Sequence, residues 1–238
     1  MQSIENQIAV VTGAGRGIGR AVAIELGKLG AHVVLAARSK TELEDTAGAI
    51  GTTEARATVI PTDVRSKGEL QRLFEQVATA LGPVEILVNA AGLGIFGPVV
   101  DFKDEDFENL IETNLRGIFF ACRFVLPSMM ERKRGHIINI ASIAGKVGSA
   151  NRAVYCASKF GVVGFTESLA EEVRQYGIRA SVICPGSTNT RFSPSEISGK
   201  SRERMLQPED IAHAARMIVT QEPNSFISEI IIRPTQKP

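Results

Sequence analysis

Several features are scarce or missing in this 238-residue chain, and each gap removes a class of function. There are only three cysteines, Cys122, Cys156 and Cys184, far apart and without a C-x-x-C pair. That excludes a disulfide framework or thiolate zinc site and predicts a reduced, cytoplasmic protein. His32, His136 and His213 are equally scattered, so no metal is expected. Neither sign of charge dominates: 27 Lys and Arg against 26 Asp and Glu leave +1. This is too little to draw the chain to nucleic acid or to an anionic membrane. No apolar run approaches the ~18 residues of a membrane span, and Met1–Gln7 is polar, without the pattern of a secretory signal. Small molecules are the partners left.

What is present is a strict rhythm. Seven short apolar runs, Ile8–Thr12, His32–Ala36, Ala57–Thr62, Glu85–Asn89, His136–Ile140, Arg179–Cys184 and Glu229–Ile232, read as strands buried on both faces. Helical stretches lie between them near Ile18–Leu29, Thr41–Ile50, Ser66–Leu81, Asp104–Met130, Ala153–Tyr176 and Pro208–Gln221. Such alternation predicts a single doubly wound α/β domain over residues 1–238, with a seven-stranded, mostly parallel sheet and helices on both faces. The one long irregular stretch is Ser187–Gln207, and connections of that length more often serve function than idle.

Two motifs carry chemistry. Thr12-Gly-Ala-Gly-Arg-Gly-Ile-Gly19 places Gly13, Gly15, Gly17 and Gly19 where the first strand meets its helix. Backbone lacking Cβ atoms can approach a pyrophosphate closely there, and the helix end favours its charge. A bare turn would also use glycine, but position in the first strand–helix unit favours a dinucleotide. The second motif is Tyr155-x-x-x-Lys159, which sets a phenol and an ammonium on one helix face about one turn apart. A nearby ammonium favours the phenolate, which would give a tunable acid or base. Alone, the pair could be a chance feature of a solvated helix.

The glycine pattern has Ile18 where G-x-G-x-x-G needs glycine and reads instead as G-x-x-x-G-x-G through Gly13, Gly17 and Gly19. Together with Tyr155-x-x-x-Lys159 it resembles the classical short-chain dehydrogenase/reductase family, in the family's motif order from Ile8 to about Ile232. The resemblance implies a Rossmann fold and a nicotinamide cofactor held by the Gly13, Gly15, Arg16, Gly17, Ile18 and Gly19 turn. An NAD enzyme usually carries an acid at the end of strand two, about 20 residues on. This chain reads Leu35-Ala-Ala-Arg38-Ser39 there, so Arg38 and Arg16, with Ser39 as a further donor, predict NADP(H).

The same resemblance assigns the remaining site. Asp63 and Val64 would lie beside the adenine. Asn89, Ala90, Ala91 and Gly92 match the segment that steadies the sheet and lines the cofactor. Pro185, Gly186, Thr188 and Thr190 match the segment at the nicotinamide and phosphates, with Thr188 standing where a branched apolar residue is usual. The catalytic set would be Asn114, Ser142, Tyr155 and Lys159: Tyr155 gives a proton to a ketone oxygen, Ser142 orients it, and Lys159 holds the ribose and lowers the Tyr155 pKa. Asn114 would feed a water relay. Taken singly, Ser142 would be a cap and Asn114 a surface amide.

The expected activity is reduction of a ketone, a 3-oxo acid or its thioester among the candidates. An oxidative alcohol or hydroxysteroid dehydrogenase and a catalytically idle NADP(H)-binding sensor or scaffold are the alternatives, and the intact tetrad argues against idleness. Substrate contacts are expected from Leu93–Val99, Ile143–Arg152 and Ser187–Gln207, the last as a lid, with Ile95, Phe96, Val147 and Phe192 making an apolar wall. An acyl carrier is a further candidate partner, from Arg132-Lys133-Arg134 and from lid charges Arg191, Lys200, Arg202 and Arg204 set against Glu196 and Glu203; a solvated surface explains these charges as well. The ending Arg233-Pro-Thr235 looks more like the 3-hydroxy acid and serine dehydrogenase branch than the carrier-protein reductases. Apolar residues spread around Asp104–Met130 and Ala153–Tyr176 suggest a homodimer or homotetramer.

Overall fold

Every apolar run becomes a strand in the computed structural model, which describes residues 2–51, 56–192 and 199–237. In chain order the elements are β1 (Ile8–Thr12), α1 (Gly17–Lys28), β2 (His32–Ala37), α2 (Lys40–Ile50), β3 (Arg56–Pro61), α3 (Lys67–Ala80) and β4 (Ile86–Asn89). After them come α4 (Asp104–Ile111), α5 (Gly117–Arg132), β5 (Gly135–Ile140), α6 (Ala153–Val173), β6 (Ile178–Pro185), α7 (Gly199–Glu203), α8 (Pro208–Val219) and β7 (Glu229–Ile232). The strands form one sheet in the order β3-β2-β1-β4-β5-β6-β7. All six pairings are parallel, so the sheet is wholly rather than mostly so.

Strand alternation sorts the core into two layers. Val10, Val34 and Leu87 join residues of α3, α5 and α6 on one face. Ala9, Val11, Val33, Ile86 and Val88 join α1, α2 and α8 on the other. Each fully buried Val or Leu contributes roughly 1.5–3 kcal/mol relative to exposure, which is why continuous apolar runs are required for a sheet covered twice.

The chain moves outward from β1 through β2 to β3, then returns to lay β4 on the other side of β1. The connections after β1 and β4 therefore diverge, and a crevice opens beyond the carboxyl ends of these central strands. Thr12 holds its floor: the buried hydroxyl accepts from the N–H groups of Ala90 and Ala91 at 3.2 and 3.4 Å.

One predicted helix is interrupted. Asp104–Met130 divides into α4 and α5 around a wide π turn, Glu112–Arg116, with the fully buried Asn114 at its centre. Single π turns inside α-helices concentrate at functional sites.

Candidate active site

A cleft of about 1270 Å³ runs along the carboxyl edge of the sheet. Its floor at one end is the glycine turn. Gly13 has φ +68°, and a Cβ there would come within 2.7 Å of the Ala91 nitrogen; a Cβ on Gly19 would run into the Gly13 carbonyl. The turn is thus pressed against β4 and against itself. Thr46 of α2, wholly buried, donates to the Ala14 carbonyl at 3.0 Å and fixes it from behind.

The helix that follows is left open. Ser39 and Ser66 cap α2 and α3 by accepting from Glu42 and Glu69 N–H groups, and each has an acid in its first turn. At α1 the N-cap is Arg16, without a side-chain cap and without an acid in the first turn. Its first N–H groups and positive end face the cleft, where an anion satisfies both.

Charge at this end is partly paired. Arg65 grips Asp63 through two nitrogens, at 2.6 Å for the shorter contact to Oδ2, and holds its carboxyl below the usual carboxylate range. Glu42 lies between Arg16 at 3.8 Å and Arg191 at 3.4 Å. Arg38 is exposed on the cleft wall and makes no ion pair among the described residues.

At the other end stand Ser142, Tyr155 and Lys159. Ser142 follows β5 and caps the short turn Ile143–Gly145, its Oγ accepting from Ala144 N–H at 3.1 Å. Gly145 lets that turn press on α6, since a Cβ would meet the Lys159 carbonyl at 2.6 Å. Tyr155 is 7% exposed, and burial pushes its phenol up; a hydrogen bond with Ser142 and the Arg152 charge offset this only in part. Lys159 donates to the Ile140 carbonyl at 3.0 Å, and burial draws its ammonium down to about 8. Its Nζ stands 5.9 Å from the Tyr155 ring centre. The expected lowering of Tyr155 by Lys159 is not seen: burial sets the direction, and the neighbours that lower the phenol against it are Ser142 and Arg152.

Nearly every cofactor residue named from the sequence lines this cleft, including Arg16, Arg38, Asp63, Gly92 and Thr190. Thr188 is among them and is buried, its hydroxyl donating to the Gly186 carbonyl at 3.0 Å. Asn89 is the exception. In β4 it shares the face of Leu87, so its amide points away from the cleft and donates to Asn139 Oδ1 at 2.9 Å, with Asn139 in turn donating to Thr166 at 2.9 Å. It steadies the sheet and touches no cleft. Asn114 sits behind the cleft wall, exchanging two hydrogen bonds with the Leu93 backbone at 2.8 and 2.9 Å and donating to Ser158 at 3.1 Å. Glu42 and Thr46 carry no motif in their own neighbourhood and act across the fold, as the Thr12 hydroxyl does; Arg152 ends the stretch Ile143–Arg152 expected to contact substrate.

The apolar wall forms as expected around Phe96, which meets Tyr155 edge-on with ring centres 5.3 Å apart, while Phe192 approaches Tyr155 at 5.9 Å. Within the expected lid, α7 and the pairing of Thr188 with Leu206 give it order. Residues 193–198, Glu196 among them, and the Lys200 side chain lie outside the described residues.

The chain belongs to the short-chain dehydrogenase family, whose model matches residues 7–200. An uncharacterized oxidoreductase of Staphylococcus aureus (strain MRSA252) is 34% identical over 234 residues, 98% of this chain and 100% of the relative. A ketoacyl reductase of Nostoc sp. (strain PCC 7120) is 36% identical over 221 residues, 90% of this chain and 75% of its own. Among solved structures, a metagenomic short-chain oxidoreductase in complex with NADP superposes with a TM-score of 0.87 at 39% identity, covering 99% of this chain and 100% of that one. An alcohol dehydrogenase of the archaeon Thermococcus sibiricus, complexed with 5-hydroxy-NADP, gives 0.91 at 26% identity, covering 98% and 99%.

Proposed function

We propose that this oxidoreductase uses NADP(H) to reduce a ketone reversibly to a secondary alcohol. The observation that carries the reading is a buried Tyr155, its phenol pushed up by burial, beside Ser142 in the same cleft as an uncapped, glycine-flanked helix end. The fit for a dinucleotide rests on the Gly13 and Gly19 cradle, which any Cβ would fill. The glycine turn would take the pyrophosphate, Val64 and Asp63 the adenine side, and Arg38, Arg16 and Ser39 a 2′-phosphate. NADP fits better than NAD because Arg38 makes no ion pair among the described residues and no acid stands at the end of β2.

When bound, the nicotinamide supplies hydride to the carbonyl carbon. Tyr155 donates its proton to the carbonyl oxygen, and Ser142 hydrogen-bonds the same oxygen, polarising it. Lys159, charged below about pH 8 and close to Gly92, stabilises the phenolate left behind and binds the cofactor ribose. Asn114, locked in place by Leu93 and Ser158, holds the π turn whose backbone would position the water that returns a proton. The experiment is NADPH consumption across 3-oxo acids, their esters and thioesters, diketones and ring ketones, with NADH and Tyr155→Phe as controls. Tyr155-dependent turnover of one class is expected; NADPH binding without turnover would favour a sensor.

A 3-oxoacyl thioester is the second reading, favoured by the likeness to the Nostoc ketoacyl reductase. Against a carrier docking on Arg132–Arg134, Arg132 and Arg134 are bound to Glu85 at the opposite edge of the sheet from the cleft. We also expect a dimer or tetramer through α5 and α6, where Phe119 and Phe160 stay 40% and 47% exposed. Three buried, unpaired cysteines are consistent with the cytoplasm.

A further inference from the structure

Five arginines line the cleft: Arg16, Arg38, Arg65, Arg152 and Arg191. Three are ion-paired, Arg65 with Asp63, and Arg16 and Arg191 sharing the single carboxylate of Glu42. Those two acids are the only carboxylates lining the cleft among the described residues, and both lie at the glycine-turn end. The two arginines without an ion pair among the described residues, Arg38 and Arg152, stand at opposite ends. Arg38 has a role under the reading above; Arg152 has none yet.

Arg152 is the N-cap of α6, three residues before Tyr155 and so about one turn, ~5–6 Å, along the same helix face. Its guanidinium lies 5.0 Å from the centre of the Phe96 ring, whose edge contact with Tyr155 was described above. Arg152 is itself exposed at the cleft mouth, and that ring steadies the cation and keeps the ground between it and the phenol apolar. The positive end of α6 adds to the same field. Of the lid cations, Arg191 is held by Glu42 at 3.4 Å and Arg202 donates to Asn189 Oδ1 at 3.0 Å.

We propose that Arg152 receives a free carboxylate on the substrate, so that the ketone reduced is that of a short oxo acid whose two functional groups lie a few bonds apart. This rests on the reductase reading and narrows it. A neutral ketone makes no use of the Arg152 charge, and a thioester has no anion at this distance from its carbonyl. Guanidinium and carboxylate match as a planar, two-bond pair, which gives orientation as well as affinity.

The test compares acetoacetate with its methyl ester, as paired kcat/KM values with NADPH, in the wild type, Arg152→Gln and Arg152→Lys. The wild type should prefer the acid, and Arg152→Gln should lower the acid-to-ester ratio roughly 10- to 100-fold, mostly through KM. Arg152→Lys should restore part of it. NADPH titration confirms that each variant is folded. Equal use of acid and ester by the wild type, or a preference that survives Arg152→Gln, overturns the assignment while ester turnover leaves the reductase reading standing. No NADPH oxidation with any ketone of the wider panel would bring down both.

Discussion

The two ends of the cleft are built by different means. At the glycine turn the contact surface is backbone, clamped by β4 behind Gly13 and by the buried Thr46 hydroxyl on Ala14. At the carbonyl end it is side chain: Phe96, Tyr155, Phe192 and Arg152, three of them borne by the connections after β4, β5 and β6. Backbone at strand ends cannot change without disturbing the sheet, so it suits a ligand that never changes. Side chains on long connections can be exchanged singly, so they suit a substrate that differs between relatives.

The division can be broken from either side. Tyr155→Phe should lower kcat about 10²- to 10⁴-fold while the NADPH dissociation constant, read by fluorescence titration, stays near its original value. If both fall together, the ends are not separable. Arg38→Asp should act in the opposite sense, weakening NADPH roughly 10- to 100-fold and NADH much less, with kcat at saturating cofactor close to wild type. A variant that kept its NADPH affinity would remove the basis for NADP over NAD.

A third test uses the buried amine. Burial favours neutral Lys159, so the folded protein releases that proton near pH 8, whereas the unfolded chain holds it to the ordinary lysine value of 10.5. Between these values unfolding takes up a proton, and this residue's contribution to stability rises with pH by up to ~1.4 kcal/mol per unit. Denaturant titrations of wild type against Lys159→Met should show the difference changing only in that window; a pH-independent difference would mean that Lys159 is not desolvated as described. The smallest effect is expected from Thr46→Val. Removing the donor to Ala14 should cost about 1–3 kcal/mol of stability and weaken NADPH modestly, with the acid-to-ester preference unmoved.

The architecture was legible because the central strands are covered on both faces and so declare themselves as unbroken apolar runs, as at Ile8–Thr12; the edge strand Glu229–Ile232 keeps an apolar run although Ile231 is 47% exposed. The cofactor end was legible for a related reason: glycine is forced where backbones touch, as at Gly13. Asn89 was misplaced because its neighbours Ala90, Ala91 and Gly92 do line the cleft, while the phase of β4 turns its own amide inward. Strand phase is set by register with β1 and β5, which a local motif does not carry. Glu42 escaped notice for another reason, and the weight of Arg152 within the expected substrate stretch Ile143–Arg152 did too. The value of a charge in the cleft depends on whether a distant residue pairs with it, and only the folded chain brings Arg16 and Arg191 to Glu42 and leaves Arg152 without an ion pair among the described residues.

The π turn at Glu112–Arg116 makes the chain intolerant of a length change that most helices absorb quietly. Loss of one residue there would let the segment rewind as ordinary α-helix and rotate everything before it by about 100°. Leu110, now fully buried, would swing off the core, and Asn109 would leave the Arg65 guanidinium that donates to it at 2.9 Å. Insertions and deletions among natural or engineered variants should therefore avoid these five residues, even where single substitutions are accepted.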